Sequence, residues 1–124
     1  MTEDELVAGW RDLLSRYHHT WCALDKALRD GHELGASEFE VLDHLAESPC
    51  DKPALRMQEL GASVHLSQSA LSRVVARMEA EGLVSRAMCA TDRRGIYVEL
   101  TEDGRKRHAE AIATHRSVLA AKLA

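Results

Sequence analysis

At 124 residues, 45% of them hydrophobic and 29% charged, the chain has the size and balance of one domain around a single core. No stretch approaches the roughly 18 apolar residues of a membrane-spanning helix, and the acidic N-terminus is unlike a secretory signal. Three cysteines without C-x-x-C spacing argue against a zinc ribbon or disulfide framework, so a cytoplasmic protein is expected.

The net charge of −4 at first opposes nucleic acid as a partner, but the charge is unevenly spread. Residues 1–50 hold 4 Lys/Arg against 11 Asp/Glu, whereas residues 51–124 hold 12 against 9. Phosphate binding depends on where positive charge sits, so the second half can meet DNA and the acidic half should face away.

In chain order, Leu6, Trp10, Leu13, Leu14, Tyr17, Trp21, Leu24 and Leu28 recur at steps of three and four. That spacing predicts a long amphipathic helix over residues 3–30, with Gly31 as its stop. Such a helix has more apolar surface than so small a domain can easily cover, which suits a subunit interface. Taken singly, Trp10 and Trp21 read as core. Ser37 and Glu40 have the spacing of a capping box opening a second helix, with Phe39, Leu42 and Leu45 inward. Ser48-Pro49-Cys50-Asp51-Lys52-Pro53 reads as a loop and Leu55-Arg56 as a short strand.

Met57 to Val64 then forms a short helix with Met57, Leu60 and Val64 inward. His65 turns the chain, Leu66 anchors the turn, and Ser67 caps the next helix. Helix, tight turn, helix is the helix-turn-helix arrangement. Leu71, Val74, Val75 and Met78 predict the buried face of that next helix, and Gly82 stops it in the left-handed cap conformation. Leu83–Arg86 and Ile96–Leu100 read as strands of a hairpin whose loop holds Thr91, Asp92, Arg93, Arg94 and Gly95. Thr101 caps a last helix, with Glu102 and Asp103 in its first turn and Ile112, His115 or Arg116, Leu119 and Leu123 on one face. The predicted class is mostly α with a small β wing.

A helix with a polar, guanidinium-bearing face fits a major groove, and an arginine-rich hairpin tip reaches a minor groove. Ser67, Gln68, Ser69 and Ser72 stand on the first turns of that helix, where glutamine bonds adenine and serine serves as donor or acceptor. Arg73 suits guanine or phosphate, Arg77 a phosphate or structural contact, and Arg93 a phosphate.

Two segments resemble the winged-helix core of the multiple antibiotic resistance regulator (MarR) family of bacterial transcription factors. One runs from Leu66-Ser67 through Ser72-Arg73 to Met78-Glu79 and Gly82-Leu83-Val84-Ser85-Arg86. The other is the signature D-x-R-x-x-x-V-x-L-T, carried by Asp92, Arg94, Val98, Leu100 and Thr101. The resemblance implies a single winged helix-turn-helix domain that dimerises through its N- and C-terminal helices. Residues 1–33 and 101–124 would be the dimerisation helices and 34–100 the DNA-binding lobe. It also implies that the recognition helix, 67–82, enters the major groove and the wing, 87–95, the minor groove, where Arg94 inserts and Asp92 holds it. The expected function is a homodimeric, sequence-specific regulator of transcription, repressor or activator, on a pseudo-palindromic double-stranded operator.

Family members often release DNA on binding a small aromatic acid, and Trp10, Tyr17 and Trp21 are the candidate lining for such an effector. No cofactor and no metal site is expected: His44 with His108 and His115, or His32 with Glu33, lack H-x-x-x-H spacing on one helix. Cys22, with Lys26 at i+4, and Cys89 in the wing are weak candidates for thiol sensing. The motifs of phosphate-cradling loops, zinc proteases and nucleophile elbows are missing, which argues against an enzyme. The rivals are a winged-helix protein-interaction module without DNA binding and, among DNA binders, a zinc- or thiol-responsive regulator. Arg73, Arg77, Arg93 and Arg94 together favour DNA.

Overall fold

The computed structural model describes residues 1–48, 54–88 and 95–124, and its internal contacts divide into two compact units. One unit is Met1–Ala36 with Ala111–Ala124, the other Ser37–Glu110. The described elements are, in order, α1 (Glu3–His32), α2 (Ala36–Ala46), β1 (Ala54–Arg56), α3 (Met57–Val64), α4 (Gln68–Ala80), β2 (Val84–Met88), β3 (Ile96–Leu100) and α5 (Glu102–Leu123). No described helix is long and apolar enough to cross a membrane.

In the first unit, α1 opens on a capping box in which Thr2 Oγ1 accepts from Glu5 N–H and Glu5 Oε2 accepts from Thr2 N–H. The helix does not stop at Gly31. It continues to His32, and Glu33 takes the left-handed turn at φ 55°. The end is held by bonds formed beyond the glycine: Glu33 N–H donates to Arg29 O, Leu34 N–H to Leu28 O, and His32 Nε2 meets Thr114 Oγ1 on α5 at 2.8 Å. Two local backbone bonds and one side-chain bond to α5 thus hold an end that lies just beyond the glycine. Along α5, Ala111 and His115 are buried, Ile112 and Leu119 half-buried, and Leu123 exposed.

The expected capping box at Ser37 is not formed, because Ser37 lies inside a helix that already begins at Ala36. The N–H of Ala36 donates instead to Asp25 Oδ1 at 2.9 Å, a cap supplied eleven residues upstream. Burial pushes the Asp25 carboxyl up. The Ala36 N–H and the Arg29 guanidinium, 2.8 Å from Oδ2, outweigh it and hold the group below the usual carboxylate range.

In the second unit, Phe39, Leu42 and Leu45 of α2, Leu60 of α3, and Leu71, Val74, Val75 and Met78 of α4 are all buried, as their spacing required. Met57 and Val64 are half-buried. The three strands form an antiparallel sheet in the order β1-β3-β2, with Arg56 opposite Tyr97 and Arg86 opposite Val98. On β3, Val98 and Leu100 are buried between the half-buried Tyr97 and Glu99, the period-two pattern of a strand with one covered face. The strand expected over Leu83–Arg86 is displaced to Val84–Met88. Leu83 is already committed: its N–H closes α4 by donating to Met78 O, and its carbonyl accepts from Thr101 N–H.

Candidate DNA-binding surface

The turn between α3 and α4 is built by His65, whose φ of 57° sends the chain back while its N–H donates to Gly61 O. Ser67 caps α4, its Oγ accepting from Ala70 N–H at 3.2 Å. At the far end Gly82 takes φ 78°, with its N–H on Glu79 O and that of Leu83 on Met78 O, the paired bonds of a Schellman cap. Both ends of the helix are therefore fixed, and its buried face fixes its rotation. Ser67, Gln68, Ser69, Ser72, Arg73 and Arg77 consequently share the exposed side.

These polar residues are not equivalent. Ser69 Oγ lies 3.5 Å from Ser67 Oγ, and Gln68 Nε2 donates to Met57 O at 3.4 Å, linking α4 to the start of α3. Arg77 Nη1 stands 3.5 Å from Glu38 Oε1 of α2, and the Glu38 side chain is almost fully buried. Arg77 is thus partly spent on holding α4 against α2, while Arg73, one turn earlier, is exposed. At the other end, Glu79 accepts from both the N–H and the Nε of Arg86, each at 3.3 Å, and so ties α4 to β2. The last described pair of the hairpin is Met88 opposite Ile96. Asp92, Arg93 and Arg94, with Cys50 and Cys89, lie outside the described residues.

Sequence reasoning passed over Arg56. Its guanidinium carbon sits 5.9 Å from the centroid of the Tyr97 ring, within cation–π range. Next to it is Gly95, buried, where a Cβ would come within 3.1 Å of Arg56 Nε and Nη2 and 3.2 Å of Tyr97 Cε2. A side chain at position 95 would press on both the guanidinium and the ring. The only sequence signal was a basic residue at the end of a short strand opposite an aromatic one. Arg56, Met57, Gln58, Gln68, Gly95 and Ile96 line an open cleft of about 430 Å³ beside the start of α4.

On α1, Trp10 is 58% and Tyr17 64% exposed, together with Leu6, Leu13 and Leu14, so the reading of Trp10 as core fails for the single chain. Trp21 is half-buried and its ring stacks on Tyr17 with centroids 6.0 Å apart. The histidines considered as ligands are engaged elsewhere. His108 Nε2 donates to Asp43 Oδ1 at 2.7 Å and stacks on Phe39, His44 Nδ1 donates to Glu40 O, and His115 Nδ1 accepts from Arg116. Among the described residues no group of three or more His, Cys, Asp or Glu is placed to hold a metal ion. Cys22 is exposed, and its neighbour is His18 at i−4, whose Nε2 lies 3.8 Å from the sulfur, rather than Lys26 at i+4. Lys26 itself pairs with Asp30 at 2.8 Å.

Comparison with known proteins agrees with this geometry. The sequence model of the MarR family matches residues 32–95. The fold is similar to that of AbsC, a MarR family transcriptional regulator from Streptomyces coelicolor, at 31% sequence identity and a TM-score of 0.86, over 99% of this chain and 80% of that one. Sco3205, another MarR family regulator from Streptomyces coelicolor, was crystallised in complex with DNA. It is 29% identical with a TM-score of 0.87, over 99% of this chain and 75% of that one. BldR, a transcriptional regulator from Sulfolobus solfataricus, is 27% identical with a TM-score of 0.87, over 99% and 86%.

Proposed function

The chain belongs to the MarR family of transcriptional regulators, and we propose that two copies of it bind one pseudo-palindromic double-stranded DNA site in the cytoplasm. In this reading residues 67–82 of each copy enter a major groove and residues 87–95 the adjoining minor groove. Gln68, Ser69, Ser67 and Ser72 face base edges, Arg73 reaches guanine or phosphate, Arg77 and Arg93 touch phosphate, and Arg94 enters the minor groove held by Asp92.

The observation that carries the reading is the exposed polar face of α4 set opposite four buried apolar residues, in a fold shared with a regulator crystallised on DNA. A winged helix used only for protein contacts has no need of arginines on that face, so the interaction-module reading is not favoured.

We assign residues 1–33 and 101–124 to dimerisation and 34–100 to the DNA-binding lobe. The support is the exposed stripe of Leu6, Trp10, Leu13, Leu14 and Tyr17 on α1, apolar surface that a single chain leaves in water. A two-fold dimer sets its recognition helices about 34 Å apart, one turn of B-DNA, and so demands two half-sites.

The test is selection of duplexes from a random library, with sizing of the complex formed. The reading expects an inverted repeat bound by one dimer. Failure to enrich any sequence at low salt would sink it.

A further inference from the structure

Gln68 stands on the exposed side of α4, yet its side chain reaches back across the turn to α3. We propose that this bond presets Gln68 to read adenine, and that Gly61 is the residue that makes room for it. The inference rests on the reading of α4 as the helix that enters the major groove, and adds which base is read and how.

A carboxamide carries two N–H donors on its nitrogen and an acceptor on its oxygen. Gln68 Nε2 donates to Met57 O at 3.4 Å. That bond decides which way round the amide stands, because turning it over would set its oxygen against a carbonyl oxygen. One N–H and the oxygen are left for DNA, on a residue that is exposed. Adenine offers the complement of that remainder in the major groove, an acceptor at N7 beside a donor at N6. Guanine offers two acceptors, N7 and O6, and would leave Gln68 Oε1 facing another oxygen. An amide with both N–H groups free has donors for two acceptors; one held by Met57 does not.

The packing of Gly61 places the amide. A Cβ built on this buried glycine would come 2.5 Å from Gln68 Nε2, 3.3 Å from Leu66 O and 3.4 Å from Leu71 Cδ2. The amide thus occupies space that a side chain at position 61 would take. Gly61 itself is held, since its carbonyl accepts from the N–H groups of both His65 and Leu66 at the turn. The end of the Gln68 side chain is therefore what would give way. Holding that side chain before DNA arrives also lessens the rotamer freedom lost on binding. Gly61 is in this sense a positioning residue, one that touches no base.

The experiment starts from the duplex selected out of a random library. Each adenine of a half-site is replaced in turn by 7-deazaadenine, which lacks the N7 acceptor, and each A·T pair by G·C. Wild type, Gln68→Ala and Gly61→Ala are titrated on every duplex. Wild type should lose about tenfold or more in affinity at one adenine, for either replacement. Gln68→Ala should lose hardly anything there. Gly61→Ala, with Gln68 intact, should show the same flattening at that one pair and keep the wild-type preferences elsewhere. Added to Gln68→Ala, the Gly61→Ala change should alter no preference.

A Gly61→Ala protein with the wild-type preference at every pair overturns the proposal. So does one that weakens on all duplexes alike, which would mean that α4 as a whole has moved, and so does a Gln68 preference for a base other than adenine. If Gly61→Ala does not fold, the free wild-type protein decides. The side-chain amide protons of Gln68 should give a nuclear Overhauser contact to the α-protons of Gly61, and its absence overturns the brace. A selected operator on which Gln68→Ala keeps every preference removes Gln68 alone, whereas a wild type that enriches no duplex removes the DNA reading with it.

Discussion

The hydroxyl of Thr101 donates to the carbonyl of Gly82 at 2.6 Å while accepting from the N–H of Gly104 at 3.0 Å. One side chain thus caps α5 and satisfies the carbonyl at the left-handed end of α4, joining the two helices across the root of the hairpin. Thr101→Val keeps the shape and removes both bonds. It should cost about 1–2 kcal/mol of unfolding free energy, read by urea denaturation, whereas Thr101→Ser should cost much less. Equal losses in the two variants would mean the methyl group, and not the hydroxyl, is what matters.

Gly104 follows from the same junction. A Cβ built there would overlap the carbonyl oxygen of Leu83, a backbone atom that cannot swing aside. Gly104→Ala should therefore destabilise by about 1–3 kcal/mol or more, although alanine is the better helix former. Gly9 and Gly31 lie in exposed parts of α1 with nothing within 4 Å of a built Cβ. Alanine at either should stabilise by about 0.5–1 kcal/mol. Thermal melts of the three variants check the contrast, and a stabilised Gly104→Ala would contradict the packing of α5 on Leu83.

These junctions mark what the sequence could and could not reveal. The apolar rows of α1 and α4, the cap at Ser67, the turn at His65 and the stop at Gly82 were all legible, because each depends on residues within one or two turns of one another. The misplaced boundaries at Gly31, Ser37 and Leu83 share another feature. A hydrogen bond from a distant residue stands at each of them, Thr114 at His32, Asp25 at Ala36 and Thr101 at Leu83, beside the local backbone bonds that close α1 and α4. The exposed polar face of α4 could be listed from periodicity alone. That Arg77 leans on a buried Glu38, or that Gln68 reaches Met57, depends on how elements pack, and no local spacing encodes it.

Asp25 makes the first unit sensitive to acid. Its folded-state carboxyl is held below its ordinary value of 3.8, so the stabilisation is fully present above that value. It disappears as the pH falls through the depressed folded value. The side chain is about one-third exposed, so the effect is modest. Asp25→Asn should lower stability near neutrality and flatten the acid limb of the pH–stability curve. A wild type and variant with parallel acid limbs would remove Asp25 from the capping of Ala36.

The stripe on α1 gives a prediction about assembly. Trp10→Glu or Leu13→Glu puts a charge where two apolar surfaces are proposed to meet. Either should raise the dimer dissociation constant at least about tenfold in sedimentation equilibrium, with little effect on the melting of the monomer. Binding to a two-half-site duplex should weaken in parallel, since each monomer then holds one half-site. Dimers that survive both changes would place the interface elsewhere.

Arg73 and Arg77 stand one turn apart on α4 and are expected to separate stability from DNA binding. Arg77 is paired with Glu38, whose side chain is only 5% exposed, so Arg77→Met withdraws a charge partner from a buried carboxylate. It should cost about 1 kcal/mol of stability, discounted because Arg77 itself is half in water, and some DNA affinity through a less firmly seated α4. Arg73→Met changes an exposed side chain and should leave stability within about 0.5 kcal/mol. Its cost should appear on DNA instead, about 1–3 kcal/mol if Arg73 reads a base, or a smaller salt slope on all sequences if it meets a phosphate. Paired urea melts and DNA titrations of the two variants decide the matter. Equal effects on stability would show that Arg73 also braces the helix, and an unchanged DNA affinity in Arg73→Met would remove it from the contact surface.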